Sequence, residues 1–583
     1  MLPTEPIKLE INVPMKMRDG TLLYADVWRP DRPGKFPAVL TRTPYNKNLM
    51  FPTNAGYLNP QKMARAGYGV IIQDVRGTGD SEGRAFLWKQ EVDDGYDAVE
   101  GVADFTWCDG NVGMYGFSYF GYTQWAAAIA RPPHLKAICP GMTHHVARSF
   151  PFSARGDTYK LQIHLSWFLI RSLQELARKK LPPEEMRSVL KRLVYLVDTI
   201  KEQQRFLPMK DSPAAKIIEQ LDLMEPRYAG TLTHISDDEF WQDAAGGPLP
   251  LENVNIPVFH FAGWYDTEMT PGVLNSFQKI QAAAEPVVQK IMLGPWVHTG
   301  TMPNIVGELD FGLASSGPVV DITGLHIKWF DRWLKGIDNG VENDAPVKLF
   351  VMGENVWRDE QEWPLARTEY TKYFLHSGGQ ANTQLDDGVL APTLPDEEPY
   401  DTFLYDPRDP APSSEMGMGA FDQRKNEKRP DILVYSTKVL EADIEVTGPV
   451  HLRLFAASNA VDTDFTAKLV DVWPDGEAYN TAEGIIRARY RNSAAVPELV
   501  EPDKIYEYDI DLGGTSNVFK VGHRIRLEIS SSQFPKWDRN LNTGHVMGDD
   551  AEIRIALQTI FHDRMFPSCL ILPIIPRGKS EQA

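Results

Sequence analysis

The spacing of apolar residues changes three times along the chain, and few architectures allow that. Up to about residue 141 they fall in short, nearly unbroken runs, Pro37–Thr41, Gly69–Asp74, Val112–Tyr115 and Leu135–Cys139, with two more at Ile256–Phe261 and Val287–Leu293. Such runs, separated by turns and helical stretches, predict parallel strands of βαβ units buried on both faces. Between the two sets the period becomes helical: Met186, Val189, Leu190, Leu193, Leu196, Val197 and Ile200 recur every three or four residues after Pro182-Pro183. This predicts an amphipathic helix within an insertion that caps the sheet. Past Trp363 the period is two, with Val450, Leu452 and Leu454, then Ile525, Leu527 and Ile529, then Ile553, Ile555 and Leu557 alternating with polar residues. Short alternating segments of this kind predict a β-sandwich of jelly-roll type.

With 583 residues the chain exceeds what one hydrophobic core usually serves. The expected division is an α/β domain over 1–141 and 256–363, a helical cap over 142–255, and an all-β jelly roll over 364–583, whose stretch 380–430, rich in Pro, Asp and Gly, reads as an irregular lead-in. Acidic residues outnumber basic ones, 79 to 60, a formal net charge of −19 that repels phosphate backbones and argues against nucleic acid as a partner. No apolar run reaches the length of a membrane span, and the first residues lack the blocks of a signal peptide, so a soluble, cytoplasmic protein without a membrane partner is expected. The three cysteines, Cys108, Cys139 and Cys569, are far apart and support neither a disulfide framework nor a cysteine metal site.

The chemistry is concentrated where strand Val112–Tyr115 runs into Gly116-Phe-Ser118-Tyr-Phe-Gly121 and an Ala-rich helix. Strand, sharp turn and helix are the context of a nucleophile elbow, although the second glycine falls one place later than in G-x-S-x-G. A serine nucleophile needs a base, and the base a carboxylate, in the order Ser, Asp, His on an α/β-hydrolase chain. Asp266 follows the strand ending at Phe261, and His298 follows the strand ending at Leu293, in that order. His144 and His145 are rivals for the base but precede Asp266. Arg76-Gly-Thr-Gly79 lacks the spacing of a phosphate loop and reads as a structural turn, and Asp93, Asp94 and Asp97 read as helix-start carboxylates rather than metal ligands. In the cap, Trp167, Phe168 and Trp241 could line an acyl pocket or simply form cap core.

These stretches resemble the cocaine esterase and X-prolyl dipeptidyl peptidase superfamily of serine hydrolases, which also contains α-amino acid ester hydrolases and glutaryl-cephalosporin acylases. Further blocks carry the resemblance across nearly the whole chain, among them Arg42-Thr-Pro-Tyr45, Asp74-Val-Arg-Gly-Thr-Gly-Asp-Ser-Glu-Gly83, Trp329-Phe-Asp-Arg-Trp-Leu-Lys335 and Gly484-Ile-Ile-Arg-Ala-Arg-Tyr490. The resemblance also accounts for Phe120, since the family carries G-x-S-Y-x-G. It implies a triad of Ser118, His298 and Asp266, an oxyanion hole from the Tyr119 N–H and the Tyr45 phenol, and an acyl-enzyme route without metal or organic cofactor. It implies a small ester or amide substrate. Glu268 matches the first of two adjacent carboxylates that bind a substrate ammonium in the α-amino acid ester hydrolases, Met269 replaces the second, and the alternative is that Glu268 meets solvent or a neighbouring Lys or Arg. A carboxylesterase is the first expectation; an X-prolyl dipeptidyl peptidase, a β-lactam side-chain acylase and an inactive binding protein are the alternatives. The sequence leaves open whether the chain forms a homo-oligomer.

Overall fold

The structure, a computed structural model, describes residues 5–49, 58–152, 158–225, 227–234, 238–298, 300–382, 387–414 and 417–577. Among these, ten strands form one sheet: β1 (Ile7–Lys16), β2 (Leu22–Pro30), β3 (Phe36–Thr43), β4 (Gly69–Asp74), β5 (Cys108–Phe117), β6 (Leu135–Gly141), β7 (Val258–Gly263), β8 (Gln289–Gly294), β9 (Val347–Val351) and β10 (Val356–Glu360). Their order is β1-β2-β4-β3-β5-β6-β7-β8-β9-β10. β3 to β9 run parallel, and antiparallel strands close both edges. All six residues of β4 are buried, which is why its run is continuous, whereas in β2 Leu23, Ala25 and Val27 are buried and their neighbours Tyr24, Asp26 and Trp28 half-buried. The parallel strands place their C-terminal ends on one rim. Tyr45, Ser118, Asp266 and His298 lie just beyond β3, β5, β7 and β8 on that rim, where ligands bind in open α/β sheets.

Helices α1 (Glu91–Ala103) and α2 (Tyr119–Ala130) lie beside each other against the sheet. Between β6 and β7 the chain forms the cap, with α3 (Leu161–Glu175), α4 (Pro183–Asp198) and α5 (Pro213–Leu221) among its helices. The helix read from the 186–200 spacing is α4, but only Leu193 and Leu196 are fully buried on it, and Leu190 is 44% exposed. α4 packs against α3 and α5 through a narrow stripe, so the outer half of its apolar face stays in solvent. α6 (Thr270–Gln281) lies between β7 and β8 in the chain and covers β7, and α7 (Ile322–Lys335), after β8, packs on β5 and β6. No helix among the described residues is long and apolar enough to cross a membrane.

The C-terminal part is the β-rich sandwich. Val450, Leu452 and Leu454 on strand Ile444–Ser458, and Ile525, Leu527 and Ile529 on strand Arg524–Ser530, are fully buried in one core. The third expected alternation is out by one residue. The strand is Ala556–Phe561, its inward residues are Ala556, Gln558 and Ile560, and Ile555 and Leu557 are exposed. Register is set by pairing, Leu404 with Leu557 and Ala456 with Ile560. The buried Gln558 is tolerated because its amide donates to Thr463 Oγ1 at 2.6 Å. The lead-in is less irregular than expected, holding strands Val389–Ala391 and Asp401–Tyr405. A separate core joins the two halves: Trp264, Leu349, Val351 and Trp363 pack with Ala420 and Val518.

Candidate active site

The bend after β5 is tight. Ser118 adopts φ 55° and ψ −128°, a conformation costly for a residue with a Cβ, and α2 begins at the next residue. Its N–H donates to the carbonyls of Gly141 and Met142 at 2.9 and 3.1 Å, tying the bend to the end of β6. A Cβ on Gly116 would come within 2.5 Å of Phe120 Cβ, and one on Gly121 within 2.6 Å of Thr143 Cγ2. The second glycine therefore stands at 121, where α2 passes the chain leaving β6. Position 120 has room for a ring, which meets Tyr45 edge-on with 5.2 Å between centroids.

The loops after β7 and β8 are bound to each other, Tyr265 N–H donating to the Trp296 carbonyl at 3.1 Å. They carry Asp266, which is completely buried, and His298. His298 Nε2 lies 3.0 Å from Ser118 Oγ, and its Nδ1 lies 3.0 Å from Asp266 Oδ2. An imidazole that donates from Nδ1 to a carboxylate leaves Nε2 to take a proton from the serine hydroxyl. The rival histidines are occupied elsewhere. His144 Nε2 is 2.9 Å from the Glu268 carbonyl, and His145 sits between Ser276 Oγ at 3.0 Å and Lys279 Nζ at 3.3 Å. Burial holds both imidazoles neutral, pushing His144 well below the usual histidine range and His145 down to about 3.

Tyr45, Ser118, Tyr119 and His298 line one cavity of about 430 Å³ with Trp88, Phe150, Ile163, Trp167, Met269 and Met418. The indole N–H of Trp167 donates to the Tyr45 oxygen at 3.1 Å, leaving the phenol's own proton for another acceptor, and Ser118 is its other polar neighbour. Burial raises the Tyr45 pKa above that of an ordinary phenol, so it stays a donor. Tyr119 opens α2, where first-turn N–H groups have no intrahelical partner. Its hydroxyl points away, donating to Glu91 at 2.9 Å and accepting from Trp88 N–H at 2.9 Å.

Three expected pocket residues are elsewhere. Phe168 packs behind the wall against His164 and Tyr228, with ring centroids 4.9 and 5.1 Å apart. Trp167 lines the cavity, whereas Phe168, the next residue of α3, turns its ring into the cap core. Trp241 is cap core, its indole donating to the His234 carbonyl at 2.8 Å. Glu268 is buried and pairs with Lys160 at 3.4 Å, so its carboxylate is already taken. The wall residues missed from sequence, Trp88, Phe150 and Met418 above all, come from three distant segments and carry no local signature. Arg76 reaches Asp94 and Asp19 at 2.6 Å each, which makes its loop a structural turn.

Comparison with known proteins gives the family of the chain. The family model described as X-Pro dipeptidyl-peptidase (S15 family) matches residues 19–300, and that of the X-Pro dipeptidyl-peptidase C-terminal non-catalytic domain matches 339–571. The chain is 38% identical to the cocaine esterase of Rhodococcus sp. (strain MB1 Bresler), over 97% of its own length and 98% of the relative's. It belongs to the cocaine esterase and X-prolyl dipeptidyl peptidase superfamily of serine hydrolases. Among solved structures, an α-amino acid ester hydrolase shares the fold with a TM-score of 0.80 at 22% identity, covering 98% of this chain and 97% of that one. An aminopeptidase from the marine sediment archaeon Thaumarchaeota archaeon does so with a TM-score of 0.77 at 24% identity, with the same coverages. As a superfamily member the chain is a serine-type hydrolase with an α/β-hydrolase domain and a C-terminal β-rich domain.

Proposed function

We propose that the chain is a carboxylesterase that works through an acyl-enzyme. The observation that carries this reading is the pair of 3.0 Å contacts linking Ser118, His298 and Asp266 at the wall of an apolar cavity. Ser118 Oγ attacks the ester carbonyl while His298 Nε2 takes its proton; the imidazolium is held by Asp266 and returns the proton to the departing alcohol. Tyr45 and the Tyr119 N–H donate to the oxyanion. Water, deprotonated by the same imidazole, then releases the acid and frees Ser118.

The wall favours an uncharged acyl group. Among the described lining residues none is acidic, and Glu268, the carboxylate considered for a substrate ammonium, pairs with Lys160. A dipeptidyl peptidase or α-amino acid ester hydrolase must bind a free ammonium, and burying that charge without a partner costs several kcal/mol. Esters of uncharged acids are therefore the expected substrates. Ser118→Ala should abolish labelling by a fluorophosphonate probe and lower turnover by about 10⁴-fold or more. p-Nitrophenyl esters should be cleaved far faster than dipeptidyl-proline anilides. Labelling that survives Ser118→Ala, or a preference for the anilides, overturns the reading.

A further inference from the structure

Only Thr267 and Glu268 separate Asp266 from Met269 in the cavity wall, and both are held from outside the ten-stranded sheet. From the cap, Lys160 donates to the Glu268 carbonyl at 2.8 Å and to the Ser149 carbonyl at 2.9 Å, with Glu268 Oε2 3.4 Å away. From the C-terminal sandwich, Lys536 donates to Thr267 Oγ1 at 2.5 Å and to the Glu483 carboxylate, and stands 4.0 Å from Glu268 Oε1. The four charged side chains are 2 to 8% exposed and balance, two lysines against two glutamates. The segment carrying Lys536 is itself bound to the cap: Asp538 Oδ1 accepts from Tyr159 N–H at 2.8 Å, Asp538 N–H donates back to the Tyr159 carbonyl at 2.8 Å, and the Pro535 carbonyl accepts from Gln162 N–H at 3.0 Å.

Four charges withdrawn from water gain little net stability, because desolvation offsets their attraction, and well-packed apolar residues often do as well. What such a cluster does provide is direction: each donor accepts only a partner at the right place. We infer that Lys536, in the part of the chain matched by a non-catalytic domain model, is a positioning residue for the triad. Through Thr267 it fixes the backbone that carries Asp266, and so the orientation of His298; the inference rests on the catalytic reading of those residues. Lys536 touches no reacting atom. Its effect is geometric, and misplacing a catalytic group by about 1 Å can cost ~10²-fold in rate.

The test compares Lys536→Met, Thr267→Val, the double variant Thr267→Val/Lys536→Met and Lys536→Met/Glu483→Gln, with p-nitrophenyl acetate, whose small acyl group asks little of the cavity. Thr267→Val and Lys536→Met should each lower kcat by ~10-fold or more with KM nearly unchanged, and together they should lose no more than Lys536→Met alone, because they break one link. Lys536→Met should also lower the melting temperature by leaving two glutamates to one lysine. Lys536→Met/Glu483→Gln restores the charge balance without restoring the bond to Thr267, so its melting temperature should recover while kcat stays low. Recovery of kcat along with stability would make Lys536 merely structural, and an unchanged kcat in Thr267→Val would do the same. Neither result touches the triad, which is judged by fluorophosphonate labelling of the unaltered protein: absence of labelling there would remove the ground on which this inference stands.

Discussion

The residue that does most with least is Tyr45. Its ring is buried, it meets Phe120 edge-on, and its oxygen takes the Trp167 indole proton and lies beside Ser118, where charge would develop. Tyr45→Phe keeps the packing and deletes one donor. On the proposed mechanism kcat should fall by ~10²–10³ with little change in KM, since the interaction is made mainly in the transition state. Steady-state kinetics on a p-nitrophenyl ester decides it, and an unchanged kcat would make Tyr45 structural. The order of Ser118, Asp266 and His298 was legible in the sequence because each follows an apolar run by a few residues. Trp88 and Met418 were not, because a wall residue needs only to be large and nearby, and proximity across the fold leaves no local pattern.

At the scale of elements, the parallel strands were readable because both faces are buried and their runs are unbroken. The strand Ala556–Phe561 of the sandwich was not: near residue 555 the apolar pattern fits two registers, and the partners on its two sides choose between them. Buried strands also carry polar passengers. His260 on β7 lies between Trp125 and Phe277, each ring centroid 5.6 Å away, with Nε2 3.2 Å from Gln289 Oε1 on β8. Burial pushes its pKa down to about 3. The unfolded chain takes up this proton below ~6.5 and the native state does not, so the stability this group permits is complete above that pH. As pH falls towards about 3 it is lost at ~1.4 kcal/mol per unit. His260→Phe removes this slope. The stability of the unaltered protein minus that of the variant, from urea midpoints, should shrink by ~2 kcal/mol between pH 7.5 and pH 5. A difference that does not move with pH would mean that the ring is protonated in the fold.

At the scale of the molecule, the boundary between the two halves is not a linker but a core. Trp264, two residues before Asp266, Trp363 at the end of the α/β part and Val518 of the sandwich share one apolar cluster, and Met352 N–H donates to the Ser516 carbonyl at 2.9 Å. Interfaces of this kind couple the stability of the parts they join. The full chain should therefore unfold in a single calorimetric transition. Two separated transitions, or a chain ending at residue 363 that is as stable as the whole, would show that the halves stand alone.

By itself the sequence determined the class of each part, where the strands buried on both faces lie along the chain, and the three residues after them that are proposed as nucleophile, carboxylate and base. These are local properties: periodicity reports burial, and a turn after a strand reports the rim of the sheet. The tertiary structure alone decided which aromatic residues form the wall, that Glu268 is spent on Lys160, and that Lys536 reaches Thr267 from 269 positions away. Those outcomes depend on which distant groups share a small volume, and a buried charge takes whichever partner the fold brings nearest.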